Sequence, residues 1–116
     1  DAYFKMNNFA EAINYYSKSL DLVPVREMSI IQFRIAEAKQ AQGNTEETIE
    51  EYLKTSYLYS ENNDLVVKSL LRVAAIYEDK DDYKEALKVY KRISAMDVPE
   101  VKYAKERIDW INTRNK

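Results

Sequence analysis

The sequence predicts an all-α fold built from repeated helix–turn–helix units, and three observations carry that expectation. The 116 residues hold one Gly and two Pro, roughly a fifth of the ordinary combined usage of about 12%. Strand-rich folds need turn residues every few positions, and here only Asn and Asp are plentiful. Three stretches align without gaps at spacings of 36 and 38 residues: Asn8-Phe9-Ala10-Glu11-Ala12-Ile13, Asn44-Thr45-Glu46-Glu47-Thr48-Ile49 and Asp82-Tyr83-Lys84-Glu85-Ala86-Leu87. Each is followed at one offset by Tyr16, Tyr52 or Tyr90, and two residues later by Lys18, Lys54 or Arg92. The segments ahead of the caps repeat as well: Ile31-Gln32-Phe33-Arg34-Ile35-Ala36 and Ser69-Leu70-Leu71-Arg72-Val73-Ala74 each end eight residues before the next cap.

Each element follows from these patterns. Asn8, Asn44 and Asp82 are N-cap residues whose side-chain oxygens can accept from a free N–H of the first turn. Glu11, Glu47 and Glu85, three positions later, complete a capping box and favour the positive end of the helix dipole. Ala12-Tyr16-Ser19 and Ala86-Tyr90-Ile93 fall at i, i+4, i+7, and the small residue one turn before each Tyr lets a neighbouring helix come close. Leu70, Val73, Ala74 and Tyr77 form a second apolar stripe. Gly43 and the Asp79–Asp82 run mark the turns within pairs. Pro99 opens a last helix, along which Val101, Ala104, Ile108 and Ile111 make one face with Trp110 alongside. The expected order is a truncated first unit at 1–24, a second at 25–61, a third at 62–98, a capping helix at 99–113 and a polar tail at 114–116. That amounts to seven helical segments, the first a stub, in what reads as a segment of an array beginning partway through a unit.

Composition excludes several function classes. The chain has no Cys and no His, which removes disulfides, thiolate nucleophiles, zinc-finger ligand sets and the commonest general base. A net charge of −2 and a pI near 5.3 argue against nucleic acid, including RNA, as a partner. No apolar run approaches the 18 or so residues of a membrane span. Glu46, Glu47, Glu50 and Glu51 read as a solvated helix face. Asp79-Lys80-Asp81-Asp82 fails the calcium-loop pattern, with Lys84 at the required Gly and Tyr90 at the closing Glu. One Gly cannot make a phosphate loop. The residues imply neither catalysis nor a cofactor nor a metal. Of the ten Tyr, Tyr16, Tyr52, Tyr77, Tyr83 and Tyr90 fall on repeat landmarks; Tyr15, Tyr57, Tyr59 and Tyr103 are less constrained, and packing between helices is expected of them too.

Ile35-Ala36, Gly43, Thr48 and Tyr52, with Val73-Ala74, Tyr77, Tyr83, Ala86, Tyr90 and Pro99, resemble the tetratricopeptide repeat. Tyr3, Phe9, Ala12, Tyr16, Ser19 and Pro24 are what the first unit keeps of it. Gln32 and Lys39 depart from the pattern where large apolar residues are usual, and Ser60 replaces the closing Pro. The resemblance covers residues 1 to about 99 and implies an α–α superhelix closed by a C-terminal capping helix. It further implies a non-catalytic interaction module whose first helices line a concave groove for a partner peptide. Arg34, Lys68 and Arg72 should form one cationic patch in that groove, with Phe33 and Leu71 as apolar contacts and Glu37 and Ala75 as neighbours; Ile30, Gln40 and Glu78 are further groove positions. Lys68 and Arg72 match the last pair of the cations with which co-chaperone members grip a C-terminal carboxylate, whereas Arg34 stands where Asn is expected. An acidic or C-terminal carboxylate partner follows, as against ordinary salt bridging of the three cations to Glu37, Glu78 or a neighbouring acid. A rival expectation is self-association, with the face around Ala12, Tyr16 and Ser19 covered by another copy or by upstream repeats. The Ile31–Ala36 and Ser69–Ala74 strings, with Ala104, Arg107, Ile108 and Ile111, are similar to bacterial cell-envelope members, which implies the periplasm or envelope, the cytoplasm being the alternative.

Overall fold

A computed structural model describes residues 25–114, and among them five helices follow one another: α1 (Val25–Gln42), α2 (Thr45–Leu58), α3 (Asn63–Asp79), α4 (Tyr83–Ser94) and α5 (Val101–Arg114). The connections are short, so consecutive helices run antiparallel. Each helix packs on the next, and α1 also reaches α3. The result is two layers, with α1, α3 and α5 in one and α2 and α4 in the other. Expectations that fall on residues 1–24, including the cap at Asn8 and the face of Ala12, Tyr16 and Ser19, lie outside the described residues, as does most of the polar tail.

The caps form where the sequence puts them. The side chains of Asn44 and Asp82 accept from the backbone N–H of Glu47 and Glu85, and Asn62, which has no Glu or Gln three residues on to signal it, caps α3 through the N–H of Leu65 in the same way. The reciprocal arm of the capping box does not form: Glu47 instead meets Lys39 Nζ at 2.6 Å and Glu85 meets Lys88 Nζ at 2.8 Å. A nearby ammonium offers a carboxylate a charged partner in place of a neutral N–H.

Both hairpin turns leave the preceding helix through a left-handed residue. Gly43 has φ 83° and Asp81 has φ 58°. At the second turn, the N–H of Asp82 donates to Tyr77 O at 2.8 Å and that of Asp81 to Glu78 O at 2.9 Å, the paired bonds of a Schellman motif. At the first, the Gly43 N–H donates to Gln40 O at 3.0 Å. A Cβ on Gly43 would meet nothing within 4 Å, so backbone conformation and not space selects glycine there.

The core runs continuously through all five helices. Ala36, Ala74, Ala86 and Ala104 are wholly buried, which lets adjacent helices approach while Tyr52, Leu70, Tyr90, Ile93 and Ile111 fill the space beside them. The departures at Gln32 and Lys39 are accommodated by polar contacts. Buried Gln32 donates from Nε2 to the backbone O of Glu51 at 3.0 Å and to its Oε1 at 2.8 Å, while Lys39 pairs with Glu47 across the hairpin. Thr55 Oγ1 and Ser69 Oγ are buried without a hydrogen-bond partner. Packing was expected of Tyr57 and Tyr103, but they are 65% and 49% exposed. The Arg92 guanidinium lies over the Tyr57 ring, and Tyr103 meets Tyr90 edge-on.

Candidate functional site

The helices α1 and α3 lie side by side in one layer, which brings Arg34, Lys68 and Arg72 to a common cleft of about 340 Å³ together with Ile30, Phe33, Glu37 and Leu65. The patch expected from repeat equivalence therefore forms, but its three cations are not alike. Glu37 lies between two of them: Arg34 Nη1 reaches it at 2.8 Å and Arg72 Nη2 at 3.6 Å. For these two, the salt-bridging expectation describes the geometry. Lys68 is exposed and has no ion pair among the described residues.

Arg72 is built into the joint between the two helical pairs. Its Nη1 donates to Tyr52 Oη at 3.0 Å and to Gln40 Oε1 at 3.4 Å, and Tyr52 in turn donates to Gln40 Oε1 at 2.7 Å. Its guanidinium lies 5.6 Å from the Phe33 ring centre and 5.9 Å from that of Tyr52, within cation–π range. Burial raises the pKa of the Tyr52 hydroxyl, although the positive charge of Arg72 works against the rise. Phe33 is only 7% exposed and is tilted against Tyr52 at 5.5 Å, so it forms the floor of the cleft rather than a projecting contact. Leu71 is half-buried and Ala75 is exposed beside it.

The same joint recurs one unit later with a charged acceptor. Glu78 occupies the place of Gln40, Tyr90 that of Tyr52, and Arg107 on α5 that of Arg72. Tyr90 Oη donates to Glu78 Oε2, Arg107 Nε donates to Glu78 Oε2 at 3.2 Å, and Arg107 Nη2 closes a second bond to Oε1. This is a bidentate guanidinium–carboxylate pair. Burial alone would raise the Glu78 carboxyl, but hydrogen bonds from Arg107 and Tyr90 outweigh it and hold the pKa below the usual value. The Tyr90 hydroxyl is pushed up, first by burial and then by its bond to Glu78.

This equivalence extends the inner layer onto α5. Arg34, Arg72 and Arg107 share one repeat position, so Ile30, Lys68 and Tyr103 share another, as do Glu37, Ala75 and Trp110. Tyr103 and Trp110 are exposed. Trp110 lies under Arg107 at 4.4 Å and Arg114 at 5.0 Å. None of Leu65, Tyr103 and Trp110 was among the residues expected of the groove. The shared small-x-x-Arg-aliphatic pattern of Ser69–Val73 and Ala104–Ile108 is the sequence signal that points to the last two.

A cavity of about 580 Å³ lies at the α2–α3 turn between Leu58 and Asp64. Its polar cap is already engaged, with Asn62 Nδ2 donating to Ser29 Oγ at 3.1 Å. Among the described residues no helix is long and apolar enough to cross a membrane, and no cluster of three or more acidic, His or Cys side chains could hold a metal. The α1–α3 cleft offers cations and apolar surface, a chemistry of binding.

A family model of the tetratricopeptide repeat matches residues 1–24 and 67–97, the second stretch running from within α3 through all of α4. Such repeats generally mediate protein–protein interaction and are typically not catalytic. The paired antiparallel helices, the small residues at their crossings and the recurring joint agree with that match, and the matched stretches are tetratricopeptide repeats.

Proposed function

We propose that this chain is a non-catalytic interaction module that holds an acidic or carboxylate-ended partner segment in the cleft between α1 and α3. The observation that carries this reading is Lys68, an exposed cation without an ion-pair partner among the described residues, in a cleft with half-buried Leu65 and 48% exposed Ile30. A partner carboxylate would take its charge-assisted bond from Lys68, while aliphatic side chains would settle on Ile30 and Leu65. Arg34 is the second recruit. Its side chain is 54% exposed, and exposed ion pairs are worth only about 0–1 kcal/mol, so exchanging Glu37 for an incoming carboxylate costs little. Arg72 stays with Tyr52 and positions the floor.

The test is fluorescence anisotropy with a labelled peptide ending in two aspartates, compared with its C-terminally amidated, uncharged counterpart. Lys68→Glu is expected to weaken binding of the acidic peptide tenfold or more while far-UV circular dichroism stays unchanged. Equal binding by wild type and variant would remove Lys68 from the site. Self-assembly through the first repeat, the rival reading, rests on residues 1–24, outside those described.

A further inference from the structure

The layer made by α2 and α4 carries a charge pattern that the cleft does not use. Positions 38 residues apart are equivalent in these helices, as their caps Asn44 and Asp82 show. At the outermost of them the charge inverts: Glu46 and Glu50 on α2 correspond to Lys84 and Lys88 on α4. All four are exposed. Glu46, Glu50 and Lys84 have no ion pair among the described residues, and Lys88 has only its own-helix neighbour Glu85.

Between the acidic and the basic helix runs a shallow groove of about 190 Å³ floored by α3. Tyr57, 65% exposed, stands in it with the Arg92 guanidinium 5.4 Å from its ring, and Leu58, equally exposed, follows it.

We infer that this face pairs with a second copy of the same chain about a two-fold axis, α2 of each copy lying on α4 of the other, with Tyr57 near the axis. A face whose exposed outer positions are acidic on one helix and basic on the other is complementary to itself once rotated, so Glu46 and Glu50 of each copy meet Lys84 and Lys88 of the other. A uniformly charged partner would satisfy one helix and repel the other. Because the same patch is used by both copies, the contact closes at a dimer. The patch is two short helices wide, below the size of standard stable interfaces, so the dimer is weak and salt-sensitive.

Sedimentation velocity of the 116-residue chain over micromolar to millimolar concentrations, at low salt and at about 1 M salt where screening acts within about 3 Å, tests this. Wild type is expected to approach a dimer at low salt and to revert to monomer at high salt. Two charge-reversed variants complete the test: Glu46→Lys with Glu50→Lys, and Lys84→Glu with Lys88→Glu. Each alone should associate at least tenfold more weakly. Mixed in equal amounts, they should restore a one-to-one dimer, because one then offers two basic helices and the other two acidic ones. These exposed substitutions leave the core intact, and circular dichroism checks that both remain helical. A wild type that stays monomeric, growth beyond dimers, association unchanged in either variant, or failure of the mixture to pair would each overturn the proposal.

Discussion

The two joints that hold this array together use one geometry with different chemistry. In the first, Arg72 donates to a neutral pair, Tyr52 and Gln40, and finds its nearest carboxylate in Glu37 at 3.6 Å. In the second, Arg107 grips Glu78 directly, and Tyr90 donates to the same carboxylate. Spreading the interaction over Gln40, Tyr52 and Glu37 leaves the first joint polar and 45% exposed at Arg72. Concentrating it on Glu78 makes the second depend on one side chain. The comparison teaches that a repeat can keep its tyrosine and arginine in place while moving charge: the first joint borders the cleft, whereas the second ties the last helix down.

The largest effect should come from removing that side chain. Glu78→Ala strands the Tyr90 hydroxyl and leaves Arg107 partly buried without its partner, which costs about 3 kcal/mol by the usual penalties for broken charged pairs. Gln40→Ala should cost about 1 kcal/mol, because Arg72 keeps both Tyr52 and Glu37. Urea denaturation of both variants checks the ordering, and equal losses would erase the distinction between the joints.

Acid should separate them as well. The folded-state pKa of Glu78 lies below its ordinary value, so its stabilising contribution is fully present above the unfolded carboxyl range. It is lost as pH falls through the folded value, where the unfolded chain takes up the proton first. Wild-type stability should therefore drop more steeply than that of Glu78→Gln below about pH 4.5, as followed by urea midpoints. The same comparison with Gln40→Glu should show a new acid-sensitive step at the first joint.

Smaller effects belong to the turns beside each joint. Gly43→Ala places a side chain at positive φ and should destabilise by about 1 kcal/mol. Asp81→Gly relieves a milder form of that strain and should stabilise by a few tenths of a kcal/mol. Thermal midpoints would register both, and opposite signs are the expected result. In the core between the joints, Thr55→Val replaces an unpartnered buried hydroxyl by a methyl and should be neutral or stabilising by up to about 1 kcal/mol.

Much of this was legible in the sequence. The caps at Asn44 and Asp82, the small residues Thr48 and Ala86 under their tyrosines, and the equivalence of Arg34 and Arg72 all follow from fixed offsets along a helix. The fate of each charged side chain was not. Glu47 and Glu85 turned to lysines instead of completing their capping boxes, and Arg72 turned to Tyr52. Such choices depend on helix crossings and rotamers, which a shift of an ångström decides and a repeat spacing does not encode. Tyr57 and Tyr103 illustrate the same limit: their helical positions were clear, but their exposure depends on how the neighbouring helices cross. Trp110 and Tyr103 belong to the inner layer because Arg107 repeats Arg72, at a spacing of 35 residues instead of 38.

The central claim is that the joints consume Arg72 and Arg107 and leave Lys68 to the partner. Chemical-shift mapping of the labelled chain during titration with the peptide ending in two aspartates tests it most directly. The account predicts the largest backbone shifts around Ile30, Arg34, Leu65 and Lys68, with the Lys68 ammonium perturbed and the Arg107 side-chain signals unmoved. Shifts centred on α5 or on the outer face of α2 and α4, with Lys68 silent, would contradict it.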